Sequence, residues 1–337
     1  MSDLKIDAVL RAEVIDGALD ALLEHYVSPP AAQEVTAAIR RRRETGCYDS
    51  VTTASDLCDA LTAHLLKASN DKHVQLRYHA EPQSFDASRD QFDDPLFLEE
   101  LHRHMRLSNF GFASVDRLGG NVGYLGLRLC APPEWDDCGA VAAAAMTVLA
   151  QTSALIIDLR QNGGGAAGMV DLLCSYLLPA IPERPIHLYD FHYRDGDRLE
   201  QHWTLPHVPG PRYLDRPVFV LTSGRSFSAA ESLAYALQSL GRATIVGEAT
   251  GGAANPVGMY RINAHFSIMV TNGRAIHPLT GSNWEGAGVN PDIVTPQEDA
   301  VEVALLVALE KILESSDPVP PDGLLDEVRK ELAVLGR

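Results

Sequence analysis

Residues 154–165 read ALIIDLRQNGGG. The unbroken apolar run predicts a fully buried strand that stops at Gln161, as in a parallel sheet covered on both faces. Three glycines, Gly163 to Gly165, then deliver the chain into GMVDLLCSYLL (168–178), whose apolar spacing is helical. The same alternation extends outward in both directions. NVGYLGLRL (121–129) predicts a strand opening a domain, and Asp136 to Ala150 predicts a small-residue helix between it and ALIIDLR. Downstream, RPIHLYDFHYR (184–194) and RPVFVLTS (216–223) are extended, AAESLAYALQSL (229–240) is helical and ATIVGE (243–248) is extended. Strands alternating with helices define an α/β layer architecture. VGMYRINA (257–264) and HFSIMVTNG (265–273) predict a hairpin, and helices over 300–315 and 323–335 close the chain. Before this core, helical spacing recurs over 8–26, 31–43 and 52–68. The expected organisation is therefore an N-terminal helical lobe over 1–80, a linker or flap over 81–120, and an α/β core over 121–337.

The chain has 337 residues, 46% of them hydrophobic and 22% charged, which is ordinary globular usage and suits two unequal lobes. Acidic residues outnumber basic ones 45 to 28, for a net charge of −17. That balance argues against nucleic acid as a partner, because phosphate contacts need clustered Lys and Arg. The one basic run, Arg40 to Arg43, ends a helical pattern where cations complement the helix dipole. The N-terminal MSDLKIDAVL lacks the basic start and apolar core of a signal peptide, and no stretch is apolar enough to span a bilayer. A cytoplasmic location is expected. Cys47, Cys58, Cys130, Cys138 and Cys174 have no paired CxxC spacing, so neither a disulfide framework nor a zinc site is indicated. No metal and no cofactor are expected.

Three segments, 158–165, 222–231 and 282–292, carry candidate chemistry, because each ends a predicted strand or fills a loop where amides and side chains can face a ligand, and a connection at 69–76 offers a base. The glycine turn of DLRQNGGG (158–165) exposes amides to an anion or serves only as a tight turn; no Gly-Lys-Ser follows, so it is not a phosphate loop of the Walker kind. In TSGRSFSAAE (222–231), Ser228 sits where a helix begins. With Glu231 three residues on, it is either a plain capping box or a hydroxyl presented to a carbonyl at a helix N-terminus. A serine nucleophile needs a base, and His73 in SNDKHVQL (69–76) lies in a connection able to line a cleft, where it is either solvent-facing or the base. In SNWEGAGVNPD (282–292), Glu285 is either the carboxylate that orients the imidazole or a surface acid.

Taken together, DLRQNGGG, SFSAAE continuing through GRATIVGEATGG, and WEGAGVNPD resemble, in order and spacing, the tail-specific and C-terminal processing serine peptidases. That family includes the tricorn core and the interphotoreceptor retinoid-binding proteins. The similarity runs from about Ala8 to about Leu313, and the helical start followed by a DxH segment is nearest the retinoid-binding branch. The resemblance implies a ClpP/crotonase-like α/β core with a small N-terminal helical lobe; the span from His73 to Asn121 is too short for the PDZ domain many relatives insert. It further implies Ser228 as nucleophile, His73 as base and Glu285 as its assistant. The amide of Ala229 and one from the Gly163–Gly164 turn would form the oxyanion hole. Where the processing-protease branch has a lysine base, this chain has Ala253, so activity would depend on His73.

The leading expectation is a serine peptidase acting on a peptide or small carbonyl-containing substrate. The alternatives are a carrier of retinoid-like or other apolar ligands, and an esterase- or cyclase-type enzyme of specialised metabolism. Assembly into a homo-oligomer is compatible with the resemblance.

Overall fold

The computed structural model describes residues 3–83, 90–180, 184–314 and 322–335. In chain order the elements are α1 (Ala8–His25), α2 (Pro29–Glu44), α3 (Ala54–Ser69), β1 (Gln75–Tyr78), α4 (Pro95–Leu107), β2 (Phe112–Leu118), β3 (Val122–Leu127), α5 (Asp136–Leu149), β4 (Ala154–Asp158), α6 (Ala167–Leu177), β5 (His187–Tyr193), β6 (Leu199–Trp203), β7 (Val218–Thr222), α7 (Ala229–Ser239), β8 (Thr244–Gly247), β9 (Val257–Arg261), β10 (Phe266–Thr271), β11 (Gly273–Ile276), β12 (Ile293–Val294), α8 (Ala300–Glu314) and α9 (Asp322–Val334). They form a mixed α/β protein that divides into two compact units.

The first unit gathers Met1–His102, Asp190–Glu200 and Asn255–Ile276. Its helices begin where side chains satisfy the free first-turn amides: Asp7 accepts from Val9 and Leu10, Ser28 from Ala31 ahead of the Pro29-Pro30 pair, and Thr53 from Asp56. α3 stops at Asn70, which takes the left-handed conformation of a C-cap (φ 55°). The inward stripe Val14, Ile15, Ala18, Leu19 and Leu22 of α1 packs with Val35 and Ile39 of α2, Leu57, Leu61 and Leu65 of α3, and Phe266, Ile268 and Val270 of β10. The expected hairpin is present, with β9 and β10 antiparallel, and β1 pairs with the far edge of β10.

The second unit gathers Arg103–Tyr189, Gln201–Ala254 and His277–Arg337 around a six-stranded sheet of order β12-β8-β7-β4-β3-β2. All its pairings are parallel except β2 with β3. Every residue of β4 and of β7 is buried, as continuous apolar runs in a covered parallel sheet require. On one face Ile156, Phe219, Leu221 and Val246 pack against Ala304, Leu305, Ala308 and Leu309 of α8 and Val328 of α9. The expected linker over 81–120 holds α4 and an edge strand: FASVDRL alternates weakly and buries only Phe112, so it lacks the apolar run that marks the central strands. Among the described residues between His73 and Asn121 there is no PDZ domain. None of the described helices is long and apolar enough to cross a membrane.

Candidate active site

Parallel pairing of β4 with β7 brings their C-terminal ends side by side, so the glycine turn and the serine turn leave the sheet at the same edge. Hydrogen bonds then stitch the two turns. Ser226 Oγ donates to the Leu159 carbonyl (2.7 Å), Ser223 Oγ to that of Arg160 (2.7 Å), and the Phe227 amide to that of Asn162 (3.0 Å). Behind them Asp158 is wholly buried and accepts from Arg160 and from the Tyr124 hydroxyl (2.6 Å). Burial opposes its ionisation, yet these donors hold its carboxyl below the usual range.

The half-buried Ser228 stands directly before α7 with φ 52° and ψ −120°. Positive φ is a strained state for a non-glycine residue, maintained only where the surroundings over-determine it. It also departs from the extended backbone of an ordinary N-cap. The chief restraint is Glu231. This fully buried carboxylate accepts from the Ser228 amide (2.8 Å) and the Ala253 amide (2.9 Å) on Oε2, and from the Gly252 amide (2.7 Å) and the Thr250 hydroxyl on Oε1. Burial pushes its pKa up, against the pull of those four donors. Sequence reasoning placed Glu231 in a capping box; its wider reach depends on residues 250–253 folding back over the start of α7.

The glycine turn lies against the serine. A Cβ on Gly164 (φ 103°) would meet Ser228 Cβ at 2.7 Å and the Phe227 carbonyl at 2.9 Å, and one on Gly165 (φ 133°) would strike the Cys130 carbonyl at 2.2 Å. Only glycine fits at both. Gly163 differs: its φ is ordinary, it is exposed, and a Cβ there would meet nothing within 4 Å. The Gly164 amide donates to Asn162 Oδ1 (2.9 Å), whereas among the described residues the Gly163 and Ala229 amides have no acceptor.

Glu285 lies in the same unit, in a loop clamped to 250–254. The Val289 amide donates to Thr250 Oγ1 (2.7 Å), the Gly286 amide to the Gly252 carbonyl (2.9 Å), and the Ala254 amide to Glu285 Oε2 (2.8 Å). Glu285, the Glu231 anchor and Ser228 are therefore linked through one short segment. Ala253 is fully buried and offers only its amide there. His73 belongs to the first unit. It is 3% exposed, in the turn after α3, where Asp71 accepts from the His73 amide (2.9 Å) and from the Tyr26 hydroxyl (3.1 Å). Burial pushes the imidazole pKa down to about 4, with Asp71 pulling the other way. The sequence showed Asp71 beside His73 without showing that it braces this turn.

Comparison with known proteins places the chain in a family. Residues 121–295 match the model of peptidase family S41, and residues 9–104 match the N-terminal domain of S41 peptidases in eukaryotic IRBP. A carboxy-terminal-processing protease of Bartonella bacilliformis is 25% identical over 189 residues, 54% of this chain, and the chain spans 40% of the length of that relative. A putative peptidase from Parabacteroides merdae superposes with a TM-score of 0.57 at 18% identity over 89% of this chain and 96% of its own. A lipoprotein from Streptococcus agalactiae does so with 0.58 at 14% identity over 92% and 100%. The fold is thus that of S41 protease structures, a class of serine peptidases. The chain belongs to peptidase family S41.

Proposed function

We propose that the protein is a serine peptidase that cleaves peptides by acyl transfer through Ser228, with His73 as base and Glu285 as its supporting carboxylate. The observation that carries this reading is the strained Ser228 at the head of α7, with the glycine turn against it at Gly164 and with the Gly163 and Ala229 amides lacking an acceptor among the described residues. Such amides are suited to a developing oxyanion, and the helix N-terminus adds a favourable field.

In the first step the bond from Ser228 Oγ to the carbonyl carbon forms, the π pair moves to oxygen, and the hydroxyl proton passes to the His73 imidazole. The C–N bond then breaks, the leaving amine takes that proton, and an acyl-serine ester remains. Water repeats the sequence on the ester and releases a carboxylate. A base must be unprotonated to begin, and the lowered pKa of His73 keeps it neutral throughout the neutral range. The place where the resemblance would put a lysine base is Ala253, which leaves the histidine as the base. Glu285, held by the Ala254 amide, would bear on the imidazolium once formed.

The test is turnover of a peptide panel, with ester and lactone substrates beside it. Ser228→Ala is expected to lower kcat on the order of a thousandfold or more with the fold intact. Unchanged turnover in that variant would remove the proposal, and a co-purifying apolar ligand without turnover would favour a carrier.

A further inference from the structure

The glycine turn is more ordered than its glycines explain. Asn162 is fully buried, and its polar groups all have partners inside the second unit. Its amide donates to the Leu159 carbonyl (3.0 Å), its carbonyl accepts from the Phe227 amide (3.0 Å), its Oδ1 accepts from the Gly164 amide (2.9 Å), and its Nδ2 donates to Cys130 Sγ (3.7 Å). The backbone of Asn162 thereby ties the end of β4 to the turn that carries Ser228, and its side chain ties the glycine turn to Cys130.

The consequence lies in which amide is engaged. Gly163 and Gly164 are adjacent donors, and a turn free to rotate would present either one. Asn162 Oδ1 takes the amide of Gly164, the residue buried against Ser228, and the amide of the exposed Gly163 has no acceptor among the described residues. Stabilisation of an oxyanion depends on donors fixed before charge develops, so a restraint that selects the donor contributes to rate without touching substrate.

We propose that Asn162 is a positioning residue for the oxyanion side of this site. Its side chain sequesters the Gly164 amide while its backbone carbonyl holds Phe227, so that Gly163 and Ala229 supply the two amides that meet the substrate carbonyl oxygen. The proposal rests on the reading of Ser228 as nucleophile, and deepens it.

Asn162→Ala removes the acceptor; Asn162→Ser restores a neutral oxygen able to accept from the amide two residues on, as in an ST-turn. Both are assayed for kcat and KM on the peptide the wild type cleaves best, and for the rate of labelling by a fluorophosphonate. In labelling, the Ser228 Oγ–P bond forms, fluoride leaves, and the base takes the proton. Asn162→Ala is expected to lower kcat and labelling rate tenfold or more with KM within threefold of wild type, and Asn162→Ser to recover kcat to within threefold. Wild-type kcat in the alanine variant, equal losses in both variants, or a loss confined to KM would overturn the proposal. Amide hydrogen exchange on the wild type tests it without a variant: the Gly164 amide should be protected and the Gly163 amide fast, and equal exchange would overturn it. If the wild type itself is neither labelled nor active, the nucleophile reading fails, and this inference with it; a labelled wild type with an unaffected alanine variant sinks the Asn162 role alone.

Discussion

Replacing Glu231 by glutamine changes one atom and should disable the serine turn. The carboxylate accepts four hydrogen bonds, two on each oxygen. A glutamine keeps one acceptor oxygen and turns an NH2 group toward two former donors. In its better orientation the NH2 faces the Thr250 hydroxyl, which can rotate to accept, and the Gly252 amide, which cannot. At least one buried amide is then left without an acceptor, at about 1–3 kcal/mol, and the remaining bonds lose their charge assistance. Relief from burying a charge offsets part of this, since burial already pushes the Glu231 pKa up. The net expectation is about 2 kcal/mol of lost stability. That corresponds to a fall in Tm of roughly 4–8 °C for a unit of this size. Because the Ser228 amide is one of the four donors, kcat should fall at least tenfold alongside. Differential scanning calorimetry and peptide turnover read the two effects. A glutamine variant with wild-type Tm and kcat would refute the claim that this carboxylate holds the strained turn.

Other outcomes follow from the same geometry. His73 has a folded pKa of about 4 against an unfolded value near 6.5, so the folded state binds fewer protons between them. Stability from this group is therefore full above about pH 6.5 and is lost as pH falls through 4, by about 3 kcal/mol in all. Urea titrations at pH 7 and pH 4 should show a loss of stability about 3 kcal/mol larger in wild type than in His73→Phe, and equal losses in both would contradict it. The acid limb of kcat/KM should likewise lie well below pH 6.5; a limb at 6.5 would assign the base elsewhere. Gly163→Ala should change stability by no more than about 0.5 kcal/mol, being unstrained and uncrowded. Gly164→Ala should cost about 1–3 kcal/mol and displace Ser228, which thermal denaturation and fluorophosphonate labelling will separate.

Much of the fold was legible because its signals are local. ALIIDLR and RPVFVLTS announce buried strands through continuous apolar runs, and the Pro29-Pro30 pair marks the break between the first two helices, where α2 begins. Pairing between distant stretches was not legible. Nothing local in VGMYRINA or HFSIMVTNG says that this hairpin joins the N-terminal helices through Phe266, Ile268 and Val270. The edge strand at 112–118 was hidden because an edge exposed to solvent needs no apolar run. In the site, Ser228 and the glycine turn stood out because both follow strands into helices. The groups that brace them did not: Asn162 and Thr250 are ordinary loop residues until folding supplies their partners, and so is Asp71 in the His73 turn.

The proposed nucleophile is Ser228, with the His73 imidazole as its base. Mass-spectrometric location of a fluorophosphonate adduct in wild type and in His73→Ala tests it most directly. The prediction is a single adduct on Ser228 in the wild type that becomes at least a hundredfold slower to form without the imidazole. An adduct on another residue, or equal labelling of Ser228 in both proteins, would contradict it.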